Sequence, residues 1–227
     1  MAAPDHPTSQ VVKAIGVTAV YPMEAGEPFA AAFSQRTLKD LRRVNVRPDG
    51  HCGAYVLAVV HLAMTRRALG RMQVRHRIYE AVLQRVQPEL AARHARKFAR
   101  AYRDVAERSF LNQPEMVAFL HQHRLSVYIT SPRARSAPSL YTYEVADAVG
   151  AVFLLFSDLH WQLLAHRSAS TPNAFEAVWT PQAAAALKRQ VQRRSHVHEG
   201  ETVEAYFAST SANIPFFYTD FGDRIWI

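Results

Sequence analysis

The stretch Val56 to Met64 constrains this chain more than any other segment, because it reads as a helix with almost no polar face. Val56, Val59, Val60 and Ala63 share one side at helical spacing, and Leu57, Ala58 and Leu62 fill most of the remainder. A helix that is apolar all round has to be enclosed by other elements. Val152-Phe153-Leu154-Leu155-Phe156 makes the same demand of a strand, since an unbroken apolar run of that length is the pattern of a strand covered on both faces. Ser157-Asp158 reads as a turn, and His160-Trp161-Gln162-Leu163-Leu164 as the antiparallel return. These segments predict an α+β fold in which a small, mainly antiparallel sheet is flanked by helices.

The chain has 227 residues, 49% of them apolar, enough for one well-buried domain with elaborations, and no segment repeats at a fixed period. No apolar run approaches the ~18 residues a membrane helix needs. The start, Met1-Ala2-Ala3-Pro4-Asp5-His6, lacks the basic-then-apolar order of a signal peptide. A single cysteine rules out an internal disulfide framework and a multi-cysteine zinc site. The expectation is a cytoplasmic protein working in a reducing compartment.

The formal charge of +8 raises a nucleic-acid hypothesis, so its location matters. Much of the excess lies between Arg66 and Arg108, where Val74, Ile78, Val82 and Val86, then Leu90, His94, Phe98 and Tyr102, recur at helical steps. The arginines fall largely off that stripe, which describes a solvated helix face. No zinc finger, RNP-type aromatic motif or heptad-backed basic region accompanies them. The pattern weighs against a nucleic-acid partner.

Elsewhere, Val17 to Tyr21 reads as a strand and Arg36 to Arg43 as a short helix. Asn112, Pro114 and Glu115 mark a helix start, and Leu125 to Thr130 alternates like a half-buried strand. Ser131 to Pro138 reads as a loop and Tyr141 to Val145 as another strand. Thr180-Pro181 opens a helix through Arg193, and the aromatic end from Phe216 to Ile227 is expected to pack on the core, an exposed surface that contacts a partner protein being the alternative. His121-Gln122-His123 and His196-Val197-His198 lack a carboxylate or cysteine set, so no metal is expected.

Cys52 sits in Asp49-Gly50-His51-Cys52-Gly53-Ala54-Tyr55, a glycine-flanked turn running straight into the apolar helix. A thiol in a first helical turn meets unpaired N–H groups and the positive end of the helix dipole, which favour a thiolate and supply oxyanion donors. His160, at the rim of the sheet, is the candidate base. A lone cysteine is also ordinary core packing, and Asp49 is also an ordinary turn residue.

In this order the segments resemble the ovarian-tumour (OTU) family of cysteine proteases. The carrying residues are Asp49-Gly50-His51-Cys52 opening the central helix, Asn112 to Thr130 as helix then strand, and the hairpin from Val152 to Leu164 with His160-Trp161. His51 stands where the family usually has Asn, and Gly53-Ala54-Tyr55 looks like the Cys-Gly-aromatic variants of some viral OTU-like proteases. The resemblance covers roughly residues 40–166 and implies a papain-type protease domain, expected over residues 1–170 with an N-terminal elaboration; residues 171–227 fall outside it and are expected as an extension packed on the same domain. It implies Cys52 as nucleophile, His160 as general base and Asp49 as a support of the nucleophile loop. Many members carry Asp or Asn two positions after the histidine, where this chain has Gln162; others take the orienting group from upstream of the cysteine, which makes Asn45 a candidate and Asp158 a weaker one. The implied activity is hydrolysis of isopeptide bonds after the C-terminal Gly-Gly of ubiquitin or ubiquitin-like proteins, without cofactor or membrane. A viral polyprotein-processing protease and a non-catalytic ubiquitin-binding module are the alternatives.

Overall fold

The two apolar segments meet across one sheet. The computed structural model describes residues 15–27, 29–86, 111, 113–133, 136–167 and 175–200. In chain order these form β1 (Val17–Pro22), a 3-10 turn (Ala30–Ala32), α1 (Gln35–Leu38), β2 (Leu41–Val46), α2 (Cys52–Thr65), α3 (Arg71–Val86) and α4 (Gln113–Gln122). There follow β3 (Leu125–Arg133), β4 (Ser136–Tyr143), β5 (Gly150–Ser157), β6 (His160–Arg167), β7 (Phe175–Glu176), α5 (Pro181–Gln192) and β8 (His196–Glu199). The sheet has eight strands in the order β1-β2-β6-β5-β3-β4-β8, with β7 paired to β6. The ladders are antiparallel except for β3 with β5 and β4 with β8.

Alternation along β5 explains its unbroken apolar run. Val152 and Leu154 join the core formed with α2, α3 and α4, whereas Phe153 and Leu155 join a second core with Phe29, Phe33, Leu187 and Val191. A strand with layers on both faces has no polar side to show. Every residue of α2 from Cys52 to Leu62 is buried, as its lack of a polar face requires. Among the described residues no helix is long and apolar enough to cross a membrane.

Four sequence expectations are corrected. The helix expected over Arg36 to Arg43 ends at Leu38, and Leu41 to Arg43 open β2, because Leu41, Val44 and Val46 are fully buried between β1 and β6. Leu125 to Thr130 is buried throughout rather than on one face, since β3 lies inside the sheet between β5 and β4. The segment expected as a loop from Ser131 to Pro138 mostly continues β3 and β4, and Pro132 falls at a register shift, where a missing N–H costs no ladder bond. The sheet is also larger than expected, because residues 175–199 add β7, α5 and β8 to it. The pattern from Leu90 to Tyr102, the Asn112 cap and the aromatic end lie outside the described residues.

Candidate active site

The turn before α2 is built around Gly50, whose φ of +83° is left-handed and whose would-be Cβ has nothing within 4 Å. The requirement there is conformational and not steric. Asp49 braces the turn: Oδ1 accepts the His51 N–H at 3.1 Å, and Oδ2 accepts the Tyr55 hydroxyl at 2.7 Å. Burial would raise the Asp49 pKa, but the Tyr55 hydroxyl, the His51 amide and the positive charge nearby outweigh it, leaving the carboxyl below its ordinary value. The Tyr55 N–H makes the first bond of the helix, to the His51 carbonyl at 3.1 Å. The N–H groups of Cys52, Gly53 and Ala54 precede that bond and so have no partner within the helix.

Gly53 lets this helix start approach its neighbour. A Cβ there would stand 3.0 Å from Met116 Sδ and 3.1 Å from Leu111. Cys52 beside Gly53 is only 2% exposed.

The sulfur is met by the β5–β6 hairpin. Ser157 pairs with His160 across a two-residue turn in which Asp158 and Leu159 both have positive φ, +49° and +59°, as a type I′ turn requires. The Trp161 N–H donates to Cys52 Sγ at 3.4 Å, and the thiol lies 3.9 Å from the Leu159 carbonyl. This places the sulfur against the peptide group that follows the His160 Cα. Trp161 is itself locked, its indole N–H donating to the Leu111 carbonyl at 2.9 Å and its ring 4.4 Å from that of Phe156.

His160 Nε2–H donates to Asn45 Oδ1 at 3.0 Å, and Gln162 Nε2–H donates to the same oxygen at 2.9 Å. The register accounts for this: β2 and β6 pair through Val44 and Leu163, so Asn45 and Gln162 come next on each strand, with His160 two residues further along the same face. With Nε2 donating, the imidazole keeps Nδ1 as its acceptor. Burial holds the His160 pKa below its ordinary 6.5, so the ring is neutral near pH 7. Among the described residues the imidazole and the sulfur are not hydrogen-bonded to each other; contacts of this kind commonly tighten once substrate is bound.

Of the residues singled out from the sequence, Asn45 touches His160, while Gln162 reaches it only through Asn45. Asp158 forms the hairpin turn, and Asp49 bonds within its own loop and to Tyr55. Of the other histidines singled out, His123 Nε2 lies 3.2 Å from His61 Nδ1, and His198 stacks on Tyr141.

Sequence reasoning missed two arginines. The expectation of a solvated arginine face on α3 holds for Arg71 and Arg77 but is corrected for Arg75, which is 1% exposed. Its Nη2 donates to the Gly50 carbonyl at 3.4 Å and to His51 Nδ1 at 3.0 Å. Arg71, one turn earlier, donates to the Tyr55 hydroxyl at 3.3 Å. The available signal was position: Arg75 lies beside Val74 and three residues before Ile78, on the margin of the apolar stripe.

Fold and site together define a mixed α/β protein in which a cysteine at a helix N-terminus meets the backbone on either side of a strand-end histidine that is held by a side-chain amide. No protein-family model and no curated protein matches the chain. Solved structures do. An OTU deubiquitinase from Wolbachia pipientis wMel is 13% identical, with the match covering 58% of this chain and 92% of that one at a TM-score of 0.41. An ovarian tumor (OTU) domain solved in complex with ubiquitin is 14% identical, covering 75% of this chain and 89% of that one at a TM-score of 0.42.

Proposed function

We propose that the chain is an OTU-like cysteine protease with a papain-type catalytic arrangement, hydrolysing isopeptide bonds after the C-terminal Gly-Gly of ubiquitin or a ubiquitin-like protein. The observation that carries the chemistry is the His160–Asn45 bond at the strand end whose next amide donates to Cys52 Sγ. The substrate class rests on the sequence resemblance. The burial of Cys52 fits it, since a substrate segment without side chains beside the scissile carbonyl needs the least room to reach a buried sulfur. A free thiol as the working group suits the reducing cytosol.

In this reading His160 Nδ1 takes the thiol proton as Sγ attacks the carbonyl carbon and a C–S bond forms. The oxyanion lies against the Cys52 N–H at the start of α2. Collapse breaks the C–N bond, and the imidazolium returns the proton to the leaving amine. Water then attacks the thioester, with His160 as base, and the thiol is restored. Asn45 holds the ring through a neutral amide, so it orients the base without adding the charge that a carboxylate would offer the imidazolium. Asp49 shapes the nucleophile loop, and Gln162 fixes the Asn45 amide.

A ubiquitin derivative with an electrophile at its C-terminus tests the reading. The expected result is covalent labelling of the wild-type chain, none of Cys52→Ala, and strongly slowed labelling of His160→Ala. Ubiquitin binding with no labelling of the wild type overturns catalysis and leaves a binding module.

A further inference from the structure

We infer that Arg75 is a positioning residue for the proposed site, holding the turn that aims the Cys52 N–H at the oxyanion. The inference rests on the thiol chemistry proposed above and not on the identity of the substrate. A guanidinium buried to 1% exposure is costly to desolvate, and an apolar side chain would fill the same space on α3 without that cost. What the guanidinium adds is a pair of donor contacts to the nucleophile loop, to the Gly50 carbonyl and to His51 Nδ1.

Gly50 is the weak point of that loop. Glycine visits both signs of φ at little cost, so the peptide between Gly50 and His51 is free to rotate unless both its ends are held. Arg75 holds the carbonyl end and Asp49 holds the N–H end. Rotation of this peptide changes φ at His51, the residue that caps α2, and so tilts the next peptide, which carries the Cys52 N–H. Oxyanion donors act only over a narrow range, about 2.7–3.1 Å from the developing charge. Arg75 is thus placed to govern acylation without touching substrate. Both contacts leave one nitrogen, so what lysine lacks is the rigid planar group that carries Nη2 to both acceptors at once.

Two small reagents separate this role from general structural support, using the full chain. With p-nitrophenyl acetate, Cys52 Sγ attacks the ester carbonyl, a C–S bond forms through an oxyanion, the C–O bond breaks to release nitrophenolate, and the thiol proton passes to His160. With iodoacetamide, a C–S bond forms as the C–I bond breaks and iodide leaves, the thiol proton again passing to His160, with no oxyanion. In Arg75→Gln the acylation rate at Cys52 is expected to fall by about tenfold or more while alkylation stays near the wild-type rate. Arg75→Lys should show the same selective loss to a smaller degree, and it carries the test if the Gln variant does not fold. Unchanged acylation overturns the inference, as does a parallel fall of both reactions together with the melting temperature. A selective loss of acylation in a chain that ignores ubiquitin conjugates upholds Arg75 and overturns only the substrate class.

Discussion

Gly50 and Gly53 lie on either side of Cys52 and are needed for different reasons. Gly50→Ala puts an L residue at φ +83° in open space, so its cost is purely conformational, about 1–2 kcal/mol. Gly53→Ala keeps a helical backbone but drives a methyl against Met116 and Leu111, an overpacking cost of about 1–3 kcal/mol. Urea denaturation should separate them: Met116→Ala is expected to relieve part of the Gly53→Ala penalty and none of the Gly50→Ala penalty. Asn45 is tested by pH. In the proposed mechanism His160 works as a neutral base, and burial depresses its pKa, so the acid limb of kcat/KM is expected below pH 6.5. Asn45→Asp brings a carboxylate to His160 Nε2, favours the imidazolium and should move that limb to higher pH. Asn45→Ala should lower kcat by about 100-fold with no upward move. A limb that ignores Asn45→Asp would show that Asn45 does not govern the ring.

Among the elements, the β5–β6 hairpin ties core to chemistry, because Trp161 presents its backbone N–H to the sulfur and its indole to the Leu111 carbonyl. Trp161→Phe retains most of the apolar surface but leaves that carbonyl without its donor. It should destabilise the chain by about 1–3 kcal/mol in denaturant titrations, and a loss near zero would show that the indole bond contributes nothing. This hairpin was legible in the sequence: a run apolar on both faces, a turn and an alternating return are local patterns. The start of β2 was not. Leu41-Arg42-Arg43 carries no period of its own, and it became a strand because β1 and β6 flank it. Arg75 was misread for a similar reason, since a helix pattern separates apolar from polar positions but does not say which polar position meets a loop from elsewhere.

For the whole molecule, the same burial that tunes the site predicts acid sensitivity. His61 is 2% exposed, and burial, with Arg77 and His123 adding to it, lowers its pKa to about 4. Burial also lowers His123 and His160. Histidines depressed in the folded state bind protons more readily when unfolded, so their contribution to stability is full above pH 6.5 and is lost as pH falls toward 4. Denaturant midpoints should therefore fall between pH 7 and pH 5, and His61→Leu should flatten that slope; an equal slope in the variant would assign the effect elsewhere.

By itself the sequence determined that α2 and β5 must be covered on all sides, that a turn follows β5, and that a cysteine opens the central helix, because each of these is a short-range consequence of side-chain pattern and backbone freedom. It narrowed the group orienting His160 to a few residues without choosing among them. The tertiary structure brings Asn45 to His160, 115 positions away, and only because β2 runs beside β6 in one particular register. Strand order and register are properties of the packed sheet, set by how both its faces are covered, and no local pattern encodes them.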